Sequence, residues 1–127
     1  MTAVLALLLG LSSLTALAQH EETRTGKKGE ITFGSPVRIG NVSLSAASYQ
    51  IQHVVEGFDH FIVFKRILSG SPYFTGVSGK ESARVKCRIE PLSDKAKYTG
   101  LRFGVNSAGE TTVEEVQIKG ENVKHVF

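Results

Sequence analysis

The chain of 127 residues has a single cysteine, Cys87. One thiol cannot close an internal disulfide, so an oxidising compartment is met by burying it or by pairing two chains. Charge of one sign is scarce as well. Fifteen Lys and Arg against 12 Asp and Glu leave +3 at pH 7, which favours an acidic partner only where positive side chains cluster. No stretch carries the 3.6-residue apolar period of a helix of normal length. No serine sits in a nucleophile elbow, and no glycine-rich loop leads from a strand into a helix as nucleotide binding requires. Glu114 and Glu115 are neighbours, so on a strand they face opposite ways and make no catalytic dyad. These absences make an enzyme the minority reading and call for no cofactor.

The one long apolar run comes first. Residues 3–18, AVLALLLGLSSLTALA, end in Ala16, Leu17 and Ala18, the small-x-small pattern that signal peptidase needs. The run is shorter than the roughly 20 residues of a membrane-spanning helix, and Ser12, Ser13 and Thr15 interrupt it. A signal peptide over 1–18 is therefore expected, and with it an exported protein, periplasmic or extracellular, that does not span the membrane after cleavage. No Lys or Arg precedes the run, which leaves open whether Met1 is the original start. Residues 19–29, QHEETRTGKKG, are wholly polar and read as a flexible leader. Residues 30–127 read as a single domain, long enough to bury roughly 65% of its unfolded surface.

From Glu30 onward, apolar residues alternate or come in short runs between Gly, Ser, Asn and Pro, which is strand patterning. Strands are expected near 30–33, 36–39, 42–45, 48–55, 60–68, 81–89, 98–105, 110–118 and 122–126. Asn106 to Gly109 fit a type I turn closed by a left-handed glycine, which sets Phe103 opposite Val113 and Leu101 opposite Glu115, with a bulge near Glu114. The segment VEGFDH gives a second hairpin, with Tyr49, Ile51, His53 and Val55 sharing a face with His60, Ile62 and Phe64. The fold class is all-β, a compact antiparallel sandwich of about 7–8 strands, with a small closed barrel as the alternative.

RIGNVSLSAASYQI, residues 38–51, resembles a strand-turn-strand unit of small secreted bacterial β-rich proteins of unassigned function, G-N-x-x-L-P-A-G-x-Y-x-V. Gly40, Asn41, Leu44, Ala46 and Tyr49 match it, while Ser45 and Ala47 stand where that unit has Pro and Gly. The resemblance implies a secreted β domain and supplies no activity.

ESARVKCRIE alternates so that Ala83, Val85, Cys87 and Ile89 share one face and Arg84, Lys86 and Arg88 the other. The basic neighbours point away from the thiol, which predicts a small buried hydrophobe with a raised pKa and no reactive centre. The outer stripe of Arg84, Lys86 and Arg88 is a candidate anion-facing surface, which Glu110, Glu114, Glu115 and Glu121 would neutralise if their strands adjoined it. Nucleic acid is not expected on this face, which has no interleaved aromatics. His53 and His60 lie diagonally across the second hairpin and are the weak metal candidates. Two ligands do not make a site, and His20, His125, Asp59 and Glu56 carry no spacing that singles out a third. HFIVFKRIL is apolar on both faces, which marks a strand covered twice. Either Tyr73 and Phe74 close over Phe61 and Val63, or those residues meet an apolar ligand or a partner, whether another protein, an envelope component or a second copy in a homodimer.

These readings favour an exported, non-catalytic binding or structural module of the bacterial cell envelope. A cavity lined by Tyr49, Ile51, Phe64 and Phe103 would point instead to a barrel holding an apolar molecule. A pocket gathering His53, His60 and a carboxylate would point to an enzyme.

Overall fold

The computed structural model describes residues 22–71 and 74–127, with side chains described outside 69–75. Among these residues there is no helix. Ten strands are present: β1 (Thr23–Thr32), β2 (Val37–Ile39), β3 (Val42–Leu44), β4 (Ser48–Glu56), β5 (Asp59–Ser71), β6 (Phe74–Val77), β7 (Ala83–Pro91), β8 (Gly100–Val105), β9 (Thr111–Gln117) and β10 (Val123–Val126). The all-β class holds. The hydrogen-bonded order is β1-β4-β5-β7-β10-β9-β2-β3, with β6 on β5 and β8 on β9. Every pairing is antiparallel except the parallel bridge of Arg38 to Thr112 between β2 and β9.

The expected two packed sheets of 7–8 strands are joined into one open ten-stranded sheet, an eight-strand path with β6 and β8 as branches, because β7 is used twice. Its first half, Ala83 to Cys87, pairs with β5, and its end, Arg88 to Pro91, pairs with β10. A strand that changes partners along its length carries the ladder from one layer into the next. The inner faces of β4, β5 and β7 then share one core with those of β2, β3 and β9. The ends of the path, β1 and β3, do not pair, so the closed barrel is excluded. The interior is filled as well: Tyr49, Ile51, Ile62 and Phe64 are at most 2% exposed, while Phe103 stands half-exposed at the rim, edge-on to Phe33. The concavity of about 300 Å³ that Phe103 borders is lined by Thr32 to Ser35, Val37 and Thr111, not by Tyr49, Ile51 or Phe64.

Both sequence hairpins form as their turn chemistry requires. Gly109, at φ +79°, donates its N–H to the carbonyl of Asn106, and the Asn106 side chain accepts from the N–H groups of Ala108 and Glu110. Phe103 faces Val113 and Arg102 faces Glu115, which makes Glu114 the extra residue of a bulge. The bulge shifts Leu101 onto Val116 rather than Glu115 and turns Val113, Val116 and Ile118 all inward. Between β4 and β5, Gly57 takes φ +59°, and the register sets Val55 opposite His60, His53 opposite Ile62 and Ile51 opposite Phe64. In the 38–51 unit, Gly40 at φ +56° turns β2 into β3, and the buried Tyr49 donates its hydroxyl to the carbonyl of Ser45.

Two expectations change. The polar stretch 19–29 is, from Thr23 onward, the edge strand β1, paired to β4 from Thr23–Glu56 to Thr32–Ser48. Its polarity marks exposure, since an edge strand is held by backbone hydrogen bonds and needs few apolar side chains. The strand β6 was not expected, because its four residues hold only Phe74 and Val77 as apolar positions. The signal peptide expected over 1–18 lies outside the described residues. No described helix is long and apolar enough to cross a membrane.

Phe64→Ala is expected to lower unfolding stability by about 3–5 kcal/mol. Phe58→Ala, at a fully exposed turn position, should change it by less than about 0.5 kcal/mol. Urea denaturation followed by circular dichroism separates the two.

Candidate metal centre

Adjacent strands β4, β5, β7 and β10 each place one chemically active side chain on the inner face where the sheet changes layers. These are His53, His60, Cys87 and His125, with His60 directly opposite Cys87. The fifth group, Glu121, comes from the turn between β9 and β10. Gly120 at φ +89° shapes that turn, and residue 96 fixes it: the Gly120 N–H donates to the Ala96 carbonyl and the Ala96 N–H to the Glu121 carbonyl. The fourth side is closed by the bulge of β1. A Cβ at Gly26 would stand 3.1 Å from His53 Nδ1 and 3.2 Å from Glu121 Oε2, so glycine alone lets the backbone pass this close without pushing them.

The Glu121 carboxylate ties the cluster together. Its Oε2 lies 2.7 Å from His53 Nδ1 and its Oε1 lies 2.7 Å from His125 Nε2. The second nitrogen of each ring is also engaged, His53 Nε2 at 2.8 Å from His60 Nδ1 and His125 Nδ1 at 3.4 Å from Cys87 Sγ. One assignment of protons satisfies every contact. His53 and His125 donate to Glu121, His60 Nδ1–H donates to His53, and the Cys87 thiol donates to His125. Two imidazoles then flank one carboxylate, with His60 behind His53. Burial works against that charge, but the hydrogen bonds from His125 and His53 outweigh it and hold the Glu121 carboxyl down to about 2. Burial, and then the neighbouring His53 and His125, lower the pKa of His60. Buried side-chain N and O atoms without a hydrogen-bond partner are absent among the described residues.

The donor set fits a metal ion. One ring nitrogen each of His53 and His125 and one Glu121 oxygen all lie within 4.8 Å of one another. Donors around a tetrahedral ion with bonds of about 2.1 Å stand roughly 3.4 Å apart, so the two 2.7 Å separations of Glu121 from the rings would widen by about 0.7 Å to hold one. Metal-bound histidines orient their rings by hydrogen-bonding the second nitrogen, and here His60 and Cys87 stand at those nitrogens. Nitrogen and carboxylate ligands suit zinc and its neighbours in the first transition row.

The order Cys87, His125, Glu121 also has the connectivity of a thiol nucleophile with its base and orienting carboxylate. The thiol is buried, however, and burial followed by the Glu121 charge pushes it up to about 12. A nucleophilic cysteine needs a lowered pKa and access. The sequence reading of Cys87 as a buried, inert thiol stands, although its neighbour is an imidazole as well as aliphatic groups.

Of the metal candidates read from sequence, His53 and His60 are brought together as expected and His125 joins them. Glu56 and Asp59 do not, being paired with Arg84 and Lys86. His20 lies outside the described residues. Glu121 was missed: it lies 68 residues from His53, and its four-residue spacing from His125 marks no contact in an extended chain, so only the turn before β10 brings the two together. The basic stripe is neutralised, but by other residues than expected. Arg84 pairs with Glu56 and Glu81, Lys86 with Asp59 at 3.1 Å, and Arg88 with Glu90 at 3.0 Å. Glu110, Glu114 and Glu115 serve Arg38, Arg102 and Lys124 instead, because β10 rather than the β8–β9 hairpin adjoins β7. The apolar patch is not bare: Val63 and Val54 are buried, and the Arg84 guanidinium lies over the half-buried Phe61 ring, 5.8 Å from its centre. Tyr73 and the side chain of Phe74, expected to cover it, lie outside the described residues.

Comparisons with protein-family models, with curated proteins and with solved structures find no match to this chain.

In the metal-free protein, acid should weaken the fold in two stages. A histidine lowered from 6.5 on folding is charged by the unfolded chain first, so stability falls as pH drops below about 6.5. Glu121, lowered from 4.5 to about 2, contributes fully above 4.5 and loses its contribution between 4.5 and 2. His60→Asn should reduce the first stage, and Glu121→Gln should remove the second along with on the order of 2 kcal/mol at neutral pH. Urea midpoints measured across pH in a chelator would show both. A maleimide reagent should leave Cys87 unlabelled in the native protein at pH 7 and label it on unfolding. Rapid native labelling would contradict the buried placement.

Proposed function

We propose that this protein is an exported binding module of the cell envelope that holds one divalent transition-metal ion between His53, His125 and Glu121. The observation that carries the reading is the carboxylate shared at 2.7 Å by two imidazoles, each held at its second nitrogen by another side chain. The site carries one buried negative charge, which a dication offsets. Export rests on the apolar run ending at Ala18, and the resemblance of residues 38–51 to small secreted proteins agrees with it. The apolar patch and the basic stripe, first considered as the working surfaces, have their apolar groups covered and their charges matched, which moves the reading to the histidine cluster.

Metal-assisted hydrolysis is the second reading, favoured by the open cleft that borders His53 and Glu121. It needs a base beside the metal-bound water. The only carboxylate in the cluster is itself a ligand, and His60 stands behind His53. Binding without catalysis is therefore preferred.

Dialysis against zinc, followed by elemental analysis and calorimetry, is expected to give one ion per chain. Glu121→Gln keeps the shape of the side chain and should weaken binding by at least about 100-fold, while His60→Asn, which changes only the partner of a ligand, should weaken it about 10-fold. Circular dichroism of each variant confirms that it folds. Stoichiometry near zero, or a Glu121→Gln variant that binds as the wild type does, would refute the site.

A further inference from the structure

The metal cluster is not sealed. His53 and Glu121 form part of the wall of an open cleft of about 630 Å³ between the β1 bulge and the β9–β10 turn. Two glycines keep its floor low, Gly26 beside the ligand atoms and Gly120 beneath the Lys27 side chain, whose Cε lies 3.5 Å from where a Cβ would be. Lys27 and Lys95 stand at its edge. Among the described residues neither has a carboxylate within 4.0 Å, whereas every member of the outward basic stripe is paired. Two positive charges without a carboxylate partner thus stand where the ligand atoms meet solvent. Asn122 adds an amide to the wall, and Ile89 and Val123 add apolar surface.

We infer that this cleft binds a small oxyanion, a carboxylate or phosphate group that takes the open coordination position of the metal while Lys27 and Lys95 neutralise its outer oxygens. The inference rests on the metal reading. A dication with one carboxylate and two neutral imidazoles keeps a net charge of +1, and two ammonium groups beside it make an anion the natural fourth ligand. The apolar wall leaves room for a short hydrocarbon portion beyond the oxyanion, which suits an organic acid better than a bare inorganic ion.

The test loads the purified protein with cobalt(II), whose visible spectrum reports coordination, and titrates it separately with acetate and with inorganic phosphate. A saturable spectral change with either anion is expected. The double variant Lys27→Gln, Lys95→Gln should keep its cobalt affinity and need about tenfold more anion, as the loss of two exposed charge contacts implies. No spectral change with either anion, or the same anion affinity in the double variant, would overturn the inference while leaving the metal site standing. Failure to bind cobalt at all would remove the metal reading and this one with it.

Discussion

Both oxygens of Glu121 accept a hydrogen bond from a buried histidine, and the arrangement of this end of the molecule follows from that. His53 belongs to β4 in one layer and His125 to β10 in the other, so the carboxylate spans the junction where β7 passes the ladder from β5 to β10. An anion this deep is tolerable only if its neighbours donate. That requirement fixes the tautomers of His53 and His125, which in turn dictates that His60 and Cys87 donate to them. One charge thereby orients four side chains.

The rest of the charge pattern is local by comparison. Arg84, Lys86 and Arg88 find acids on their own or neighbouring strands, and the β8–β9 hairpin settles its acids on Arg38, Arg102 and Lys124. Such exposed pairs contribute little each, but together they remove the outer face of β7 as a distinctive anion surface. Next to the histidine cluster, Lys27 and Lys95 stand without such a partner among the described residues. The even spacing of the stripe was the more visible feature in the sequence and the less informative one in the structure.

Much of the fold was legible because strands announce themselves with a period of two. The alternation from Ala83 to Ile89 placed Cys87 inside and its basic neighbours outside, and Gly57 and Gly109 set two registers that the structure repeats. Half of the site followed from the first of these registers, since it alone brings His53 next to His60. The other half was illegible. His125 reaches the cluster only because β10 pairs with β7, and Glu121 only because a turn is pinned to residue 96, both non-local facts without a local pattern. The edge strand β1 was read as a leader because exposure and disorder share the same polar composition.

The cluster is complete without a metal, and this bears on how it would hold one. The apolar core, from Ile31 and Phe33 to Ile118, does not depend on the site, so the ligands are placed by the fold rather than gathered by an ion as in a zinc finger. To hold an ion at those atoms, His53 and His125 would have to surrender the protons they present to Glu121 and carry them on their second nitrogens. His53 Nε2–H would then donate to His60, whose proton would move to its own far nitrogen, on a ring that is only partly buried. His125 Nδ1–H would point at the Cys87 sulfur, a weak acceptor. The two arms would reverse direction together, and the outer member of each is a group that both donates and accepts.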